Sequence, residues 1–196
     1  MSSPQGQAAG VAAVILAAGE SRRFGSPKQL AQLNGRTLLE HVLARATGAG
    51  LDPIVAVVPA WFAPPTTAVN SILWVRNPHP ERGMSESLQL GFGALPASVE
   101  AAVILLGDQP TLPASSISAI LARRGERPIV AGRSRGHATP PVLIKRSHFG
   151  MVGEATGDSG LRDLLIARPE WVTAVELPST DDVDTPEQLR ALERQP

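Results

Sequence analysis

The chain has 196 residues, with 18 basic and 18 acidic side chains and no cysteine. That length suits one domain able to bury a core without covalent staples, and the missing cysteine excludes disulfides, thiolate metal sites and a cysteine nucleophile. Zero net charge argues against nucleic-acid binding through a general basic field, and an apolar share of 43% excludes a disordered chain.

Residues 1–10 read as a flexible leader and residues 11–196 as a single domain. The apolar run at 8–18 mimics a signal peptide, but its first flanking basic residue, Arg22, follows rather than precedes it. It is also shorter than the ~20 residues a bilayer span needs. A cytoplasmic protein with no membrane partner is expected. Short apolar runs at 11–17, 54–58, 72–75, 101–106, 129–131, 142–144 and 172–177 read as strands. Several are continuous rather than alternating, the pattern of strands covered on both faces. Between them, 37–46, 85–95, 114–124, 160–167 and 186–193 carry helical spacing of apolar residues, with Pro186 at a first helical position after Thr185. Residues 60–67 and 132–141 read as loops. Alternating strands and helices predict a three-layer α/β/α Rossmann-like fold with a mainly parallel sheet. Ligands of such sheets bind beyond the carboxyl ends of the strands.

The first strand runs into Leu16-Ala17-Ala18-Gly19-Glu20-Ser21-Arg22-Arg23-Phe24-Gly25-Ser26-Pro27-Lys28. Small residues at 17–19 let the backbone approach a ligand, so that successive N–H groups can face phosphate oxygens. Arg23 and Lys28 add cations to the same loop. Sixteen of the 18 basic residues are arginine, so Lys28 is one of only two lysines, which suits a point-charge role. The loop lacks both the Walker pattern and Gly-x-Gly-x-x-Gly. A second strand ends in Gly107-Asp108-Gln109-Pro110, where a carboxylate can anchor a magnesium ion or cap the helix that starts near Pro113. Asp181-Asp182-Val183-Asp184-Thr185-Pro186-Glu187 gathers four carboxylates before a helix, where they can also favour the helix dipole.

The first loop resembles the signature of the MobA-like nucleotidyltransferases, closest to their molybdenum cofactor cytidylyltransferase branch, which has Ala-Ala-Gly where the guanylyltransferase branch tends to have Ala-Gly-Gly. The resemblance implies that Leu16, Ala17, Ala18, Gly19, Arg23 and Lys28 hold a nucleoside triphosphate. It implies that Asp108 and Asp184 hold Mg2+ or Mn2+, with Asp182 a weaker candidate, and that Arg23, Lys28 and Asp108 are catalytic. Gly83-Met84-Ser85-Glu86-Ser87 resembles a nucleotide-contacting segment, implicating Ser85 and Ser87. His137, Asp158 and Arg162 are implied contacts on the acceptor side, although Ala138-Thr139-Pro140 separates His137 from the strand that many relatives start directly after Gly-His-Pro. The implied substrates are CTP and a molybdopterin-type acceptor, with a molybdoenzyme or its maturation factor as a further partner. Alternatives are GTP as donor, a sugar-phosphate acceptor, and a non-catalytic carrier of the molybdenum cofactor. No His-Glu-x-x-His or Gly-x-Ser-x-Gly occurs, and Trp61, Trp74 and Trp171 are too dispersed for a stacking platform.

Overall fold

A run of Val, Ala, Ile and Leu with no polar side, such as Val11–Leu16, is stable only with cover on both faces. In the structure, a computed structural model that describes residues 8–64, 72–178 and 182–194, this run is β1 at the heart of a seven-stranded sheet. Its neighbours are β4 (Ile54–Pro59) and β6 (Ala101–Leu106), both parallel to it, in registers that set Ala13 against Ile54 and against Val103. β5 (Ile72–Asn77) flanks β4 in parallel. On the other side come β8 (His137–Lys145), β7 (Ile129–Ser134) and β9 (Val172–Glu176), giving the order β5-β4-β1-β6-β8-β7-β9. A separate two-stranded ribbon joins β2 (Gln32–Leu33) to β3 (Arg36–Thr37).

Alternate side chains divide between two apolar layers, as a pleated strand requires. Val11, Ala13 and Ile15 pack with Leu39 and Val42 of α1 (Leu38–Gly48) and with Ile117 and Ile120 of α3 (Ala114–Ala122). Ala12, Val14 and Leu16 pack with Leu88 and Phe92 of α2 (Met84–Gly93) and with Leu165 of α4 (Arg162–Ala167). Gly91 lets α2 sit close, since a Cβ there would lie 2.6 Å from Val14 Cγ1. α5 (Pro186–Glu193) follows a full capping box, in which Thr185 accepts from Gln188 N and Gln188 accepts from the Thr185 backbone.

The mainly parallel three-layer arrangement is the one expected. One stretch differs. Residues 132–141, expected as a loop, lie largely within the antiparallel hairpin of β7 and β8, whose turn places Arg135 (φ 51°) and Gly136 (φ 82°) in the left-handed region. That pair of positive φ angles is what a tight two-residue hairpin turn demands. The prolines at 140 and 141 hid the strand, because proline within an apolar run argues against pairing. The helix expected over 85–95 is α2, which starts at Met84 after Gly83 and ends at Gly93. The helix expected over 160–167 begins only at Arg162, as α4, and a separate 3-10 turn at Gly157–Ser159 precedes it. Residues 1–7 of the expected leader and the end of the 60–67 loop lie outside the described residues, and among those described no helix is long and apolar enough to cross a membrane.

The chain runs outward from β1 to β4 and β5, then returns to β6 on the opposite side of β1. The loops leaving β1 and β6 therefore diverge, and the crevice between their carboxyl ends is the place where open α/β sheets bind ligands.

Candidate active site

The loop after β1 is held from below by polar side chains. Gln29, almost fully buried, donates from Nε2 to the Gly19 carbonyl at 2.8 Å. Lys28 N donates to Ser21 Oγ at 3.2 Å, and Ser21 itself takes a positive φ of 56°. Phe24 buries its ring with Leu33, Leu38 and Val183, which ties this loop to the segment carrying Asp184. Two further backbone bonds close the arrangement. Gly107 N donates to Leu16 O at 2.8 Å, and Val183 N donates to Asp108 O at 3.0 Å. Gly107 must be small, because a Cβ there would meet Ala17 Cβ at 2.7 Å. Strand ends and tail are thus stitched together before any charged group is considered.

The charged groups then meet. Lys28 Nζ lies 2.5 Å from Asp108 Oδ2 and 3.2 Å from Asp184 Oδ1, and Arg23 Nη2 lies 2.9 Å from Asp184 Oδ2. Lys28 is the most enclosed of the four, with 16% of its side chain exposed against 75% for Arg23. Burial opposes charge on Lys28, but the attraction and hydrogen bonds of Asp108 and Asp184 prevail, and its pKa is raised. Asp182 accepts from Gln109 Nε2 at 2.8 Å. Burial, and then the negative charge of Asp108, push its carboxyl above the ordinary aspartate value.

A cleft of about 320 Å³ opens over these groups. Leu16, Ala17, Ala18 and Gly19 line it together with Arg23, Lys28, Asp108 and Asp184. Ser87 and Asp158 reach the same cleft from α2 and from the turn before α4. Arg162 lies instead in an adjoining cavity of about 180 Å³, which shares Asp158 and Asp182 with the cleft. Two expected residues are not brought in. Ser85 is buried in α2 and lines neither cavity, and His137 is exposed at the start of β8, paired with Ser134. Ala138 and Thr139, next in the hairpin, line the second cavity, and His137 does not. Asp181 lies outside the described residues.

Sequence reasoning missed several residues that shape the site. Gln29 braces the loop after β1 and Gln109 braces Asp182. Asn77, fully buried, donates to Ser87 Oγ at 3.0 Å and accepts from His79 N at 2.8 Å. Gly83 brings α2 against the 157–158 turn, since a Cβ there would lie 2.5 Å from the Gly157 carbonyl carbon. Gln109 is signalled only by its place beside Asp108 and Gly83 only by its place at the head of the 83–87 segment, and nothing local marks Gln29 or Asn77.

Among the described residues no three His, Cys, Asp or Glu side chains form a ready metal cage. The pair Asp108 and Asp184 nonetheless suits magnesium, which takes one or two protein carboxylates and completes its shell with phosphate oxygens and water. The two carboxylates already converge on one cation, the Lys28 ammonium, so their donor set fits a metal accompanied by polyphosphate.

A mainly parallel sheet with this crevice defines a Rossmann-like nucleotidyltransferase fold. Residues 13–172 match the model of the MobA-like NTP transferase domain, and the chain belongs to that family. It is 29% identical over 202 aligned residues to the purine catabolism protein PucB of Bacillus subtilis (strain 168), with 92% of this chain and 95% of that protein covered. It is 31% identical over 199 residues to 2-C-methyl-D-erythritol 4-phosphate cytidylyltransferase of Streptomyces avermitilis, covering 94% of this chain and 74% of that one. Among solved structures it resembles the homologue of Mycobacterium tuberculosis Rv0371c from Mycobacterium sp. strain JC1, with a TM-score of 0.79, 28% identity, and coverage of 94% and 98% of the two chains.

Proposed function

We propose that the protein transfers CMP from CTP to the terminal phosphate of a molybdopterin-type acceptor, releasing pyrophosphate. The observation that carries this reading is the meeting of Lys28, Asp108 and Asp184, from three distant segments, beside the small-residue turn at 16–19. A polyphosphate needs that combination: fixed N–H donors, mobile cations, and carboxylates for a metal.

Arg23 and Lys28 exchange their carboxylate partners for phosphate oxygens, and the 17–19 backbone holds the chain of phosphates in place. Asp108 and Asp184, relieved of Lys28, would hold Mg2+ or Mn2+, and the metal would supply positive charge against the phosphates. An oxygen of the acceptor phosphate forms a bond to the α-phosphorus, the α–β bridging bond breaks, and pyrophosphate carries away the electron pair. The acceptor phosphate is ionised near neutral pH, its second pKa being about 6. No protein base is required, and the residues act by positioning and charge stabilisation.

The adjoining cavity supports the acceptor assignment. Leu88, Ile104 and Val142 give it apolar walls, and Arg162 a cation, which suits a flat ring system bearing an anionic group. The Ala17-Ala18-Gly19 turn and the 83–87 segment support CTP as donor, as does likeness to a cytidylyltransferase. That relative's name also favours a second reading, in which the acceptor is a sugar phosphate. Incubation of the protein with each of the four NTPs, Mg2+ and either acceptor, with pyrophosphate measured, decides among them. CTP with molybdopterin is expected to give the fastest release. Preference for GTP would overturn the donor, preference for a sugar phosphate the acceptor, and silence with every pair the enzymatic reading itself, leaving a cofactor carrier.

A further inference from the structure

Among the described residues, three buried side-chain atoms have no hydrogen-bond partner: Gln109 Oε1, Ser116 Oγ and Arg168 Nη1. A buried polar atom without a partner is costly, and folded chains keep few of them. Ser116 and Arg168 line neither the phosphate cleft nor the adjoining cavity. Gln109 lines the adjoining cavity, the one that contains Arg162, and not the phosphate cleft.

Gln109 is held at its other end. The residue is 1% exposed, and its Nε2 donates to Asp182 Oδ1 at 2.8 Å. A carboxylate only accepts, so the amide nitrogen faces Asp182 and the amide oxygen is the free end. The backbone is held as well, with Gln109 N donating to Leu106 O at 3.3 Å and Leu112 N donating to Gln109 O at 3.2 Å. Oε1 is therefore a preset acceptor for which the chain supplies no donor. Around it, Leu88, Ile104 and Val142 give the cavity apolar cover, and Asp158 and Asp182 add further acceptor oxygens to its lining. The complement of such a lining is a flat ring with N–H groups on its edge. Its faces lie against the aliphatic side chains, and an N–H meets the oxygen.

We infer that Gln109 is a specificity-determining residue for the acceptor, its Oε1 accepting a hydrogen bond from a ring N–H of a flat heterocycle. This rests on the assignment of the adjoining cavity to the acceptor, and adds which part of the acceptor is recognised there. A site built around such a bond rejects a ligand of the same shape that lacks the donor, because the oxygen then stays unpaired. Asp108 and Gln109 are consecutive, so a single strand end addresses both substrates: Asp108 lines the phosphate cleft and Gln109 the adjoining cavity.

The test compares two monophosphates that differ in their rings. Pterinylmethyl phosphate carries N–H groups on a bicycle, and naphthylmethyl phosphate has a bicycle of the same size with none. Both rings fluoresce, so titration with wild-type protein and with Gln109→Met gives each Kd. Methionine keeps the length of the side chain and removes its polar end. Gln109→Met is expected to lose about tenfold in affinity for the pterin compound, the scale of one buried hydrogen bond, and to bind the naphthyl compound at least as well as wild type does. Equal pterin binding by the two proteins would overturn the role of Gln109 and leave the acceptor assignment of the cavity standing. So would equal loss of both compounds, which marks damage to the cavity wall. Failure of the wild type to bind the pterin compound would overturn both. A crystal structure of the wild-type complex decides the matter without any variant: a ring nitrogen within hydrogen-bond distance of Gln109 Oε1 is expected, and a ring bound with that oxygen still unpaired would overturn the inference.

Discussion

Lys28 is where the demands on this site meet. Burial favours its neutral form, Asp108 and Asp184 favour the ammonium, and the carboxylates prevail. Its folded pKa stands above the ordinary 10.5, so the stabilisation it contributes is complete below that value and is lost only as pH rises through the folded pKa. Lys28 therefore stays charged throughout the range in which a nucleotide would bind. Asp182 has the opposite sense. Burial and the charge of Asp108 raise its pKa, so a stability cost sets in as pH rises above the ordinary aspartate value, is complete above the folded pKa, and fades as pH falls. Asp182→Asn, of the same shape and without the charge, is expected to melt at a higher temperature than wild type near neutral pH. The gap should close toward acid, and thermal unfolding across pH checks it. For catalysis, Asp108→Ala is expected to lower the rate of pyrophosphate release by about 10²–10³, the scale of removing one preorganised electrostatic group. Lys28→Arg should also be poor, since the flat guanidinium does not replace a point charge between two carboxylates.

Elements set where those residues can be. Asp184 depends on the start of α5, where Gln188 Oε1 accepts from Asp184 N at 2.7 Å and from Thr185 N at 2.9 Å. Thr185→Ala removes the cap and is expected to cost about 1 kcal/mol in chemical denaturation. Gln188→Ala loosens the Asp184 backbone as well, and should raise the KM for nucleotide. The order of strands and helices was legible in the apolar runs, because β1, β4 and β6 are buried on both faces and tolerate no polar residue. The first loop and Asp108 were legible because strand ends are where this fold binds ligands. The β7–β8 hairpin was not, since its pairing is non-local and two prolines interrupt its pattern. Gln29, Asn77 and Gln109 were not either, because each matters through a partner that only folding brings near: Gly19, Ser87 and Asp182. His137 shows the converse. A residue placed by likeness to a family pattern fell outside the cleft once the intervening residues formed a strand.

At the scale of the whole molecule, the topology brings together groups as far apart in sequence as Lys28 and Asp184. Bringing three charges to one point is electrostatically economical only if a ligand later takes over some of them, and that ligand should stabilise the fold. At a concentration 100 times its Kd, a ligand adds about 2.7 kcal/mol, which for a chain of this size raises Tm by roughly 5–10 °C. CTP with Mg2+ is expected to produce such a shift in wild-type protein and a far smaller one in Asp108→Ala. The most direct measurement is anomalous diffraction from crystals grown with Mn2+ and a non-hydrolysable CTP analogue. The expected result is a manganese peak flanked by Asp108 and Asp184, with Lys28 turned onto the phosphates. A peak elsewhere, or a bound nucleotide with Lys28 still clamped between the two aspartates, would contradict a polyphosphate site built by their convergence.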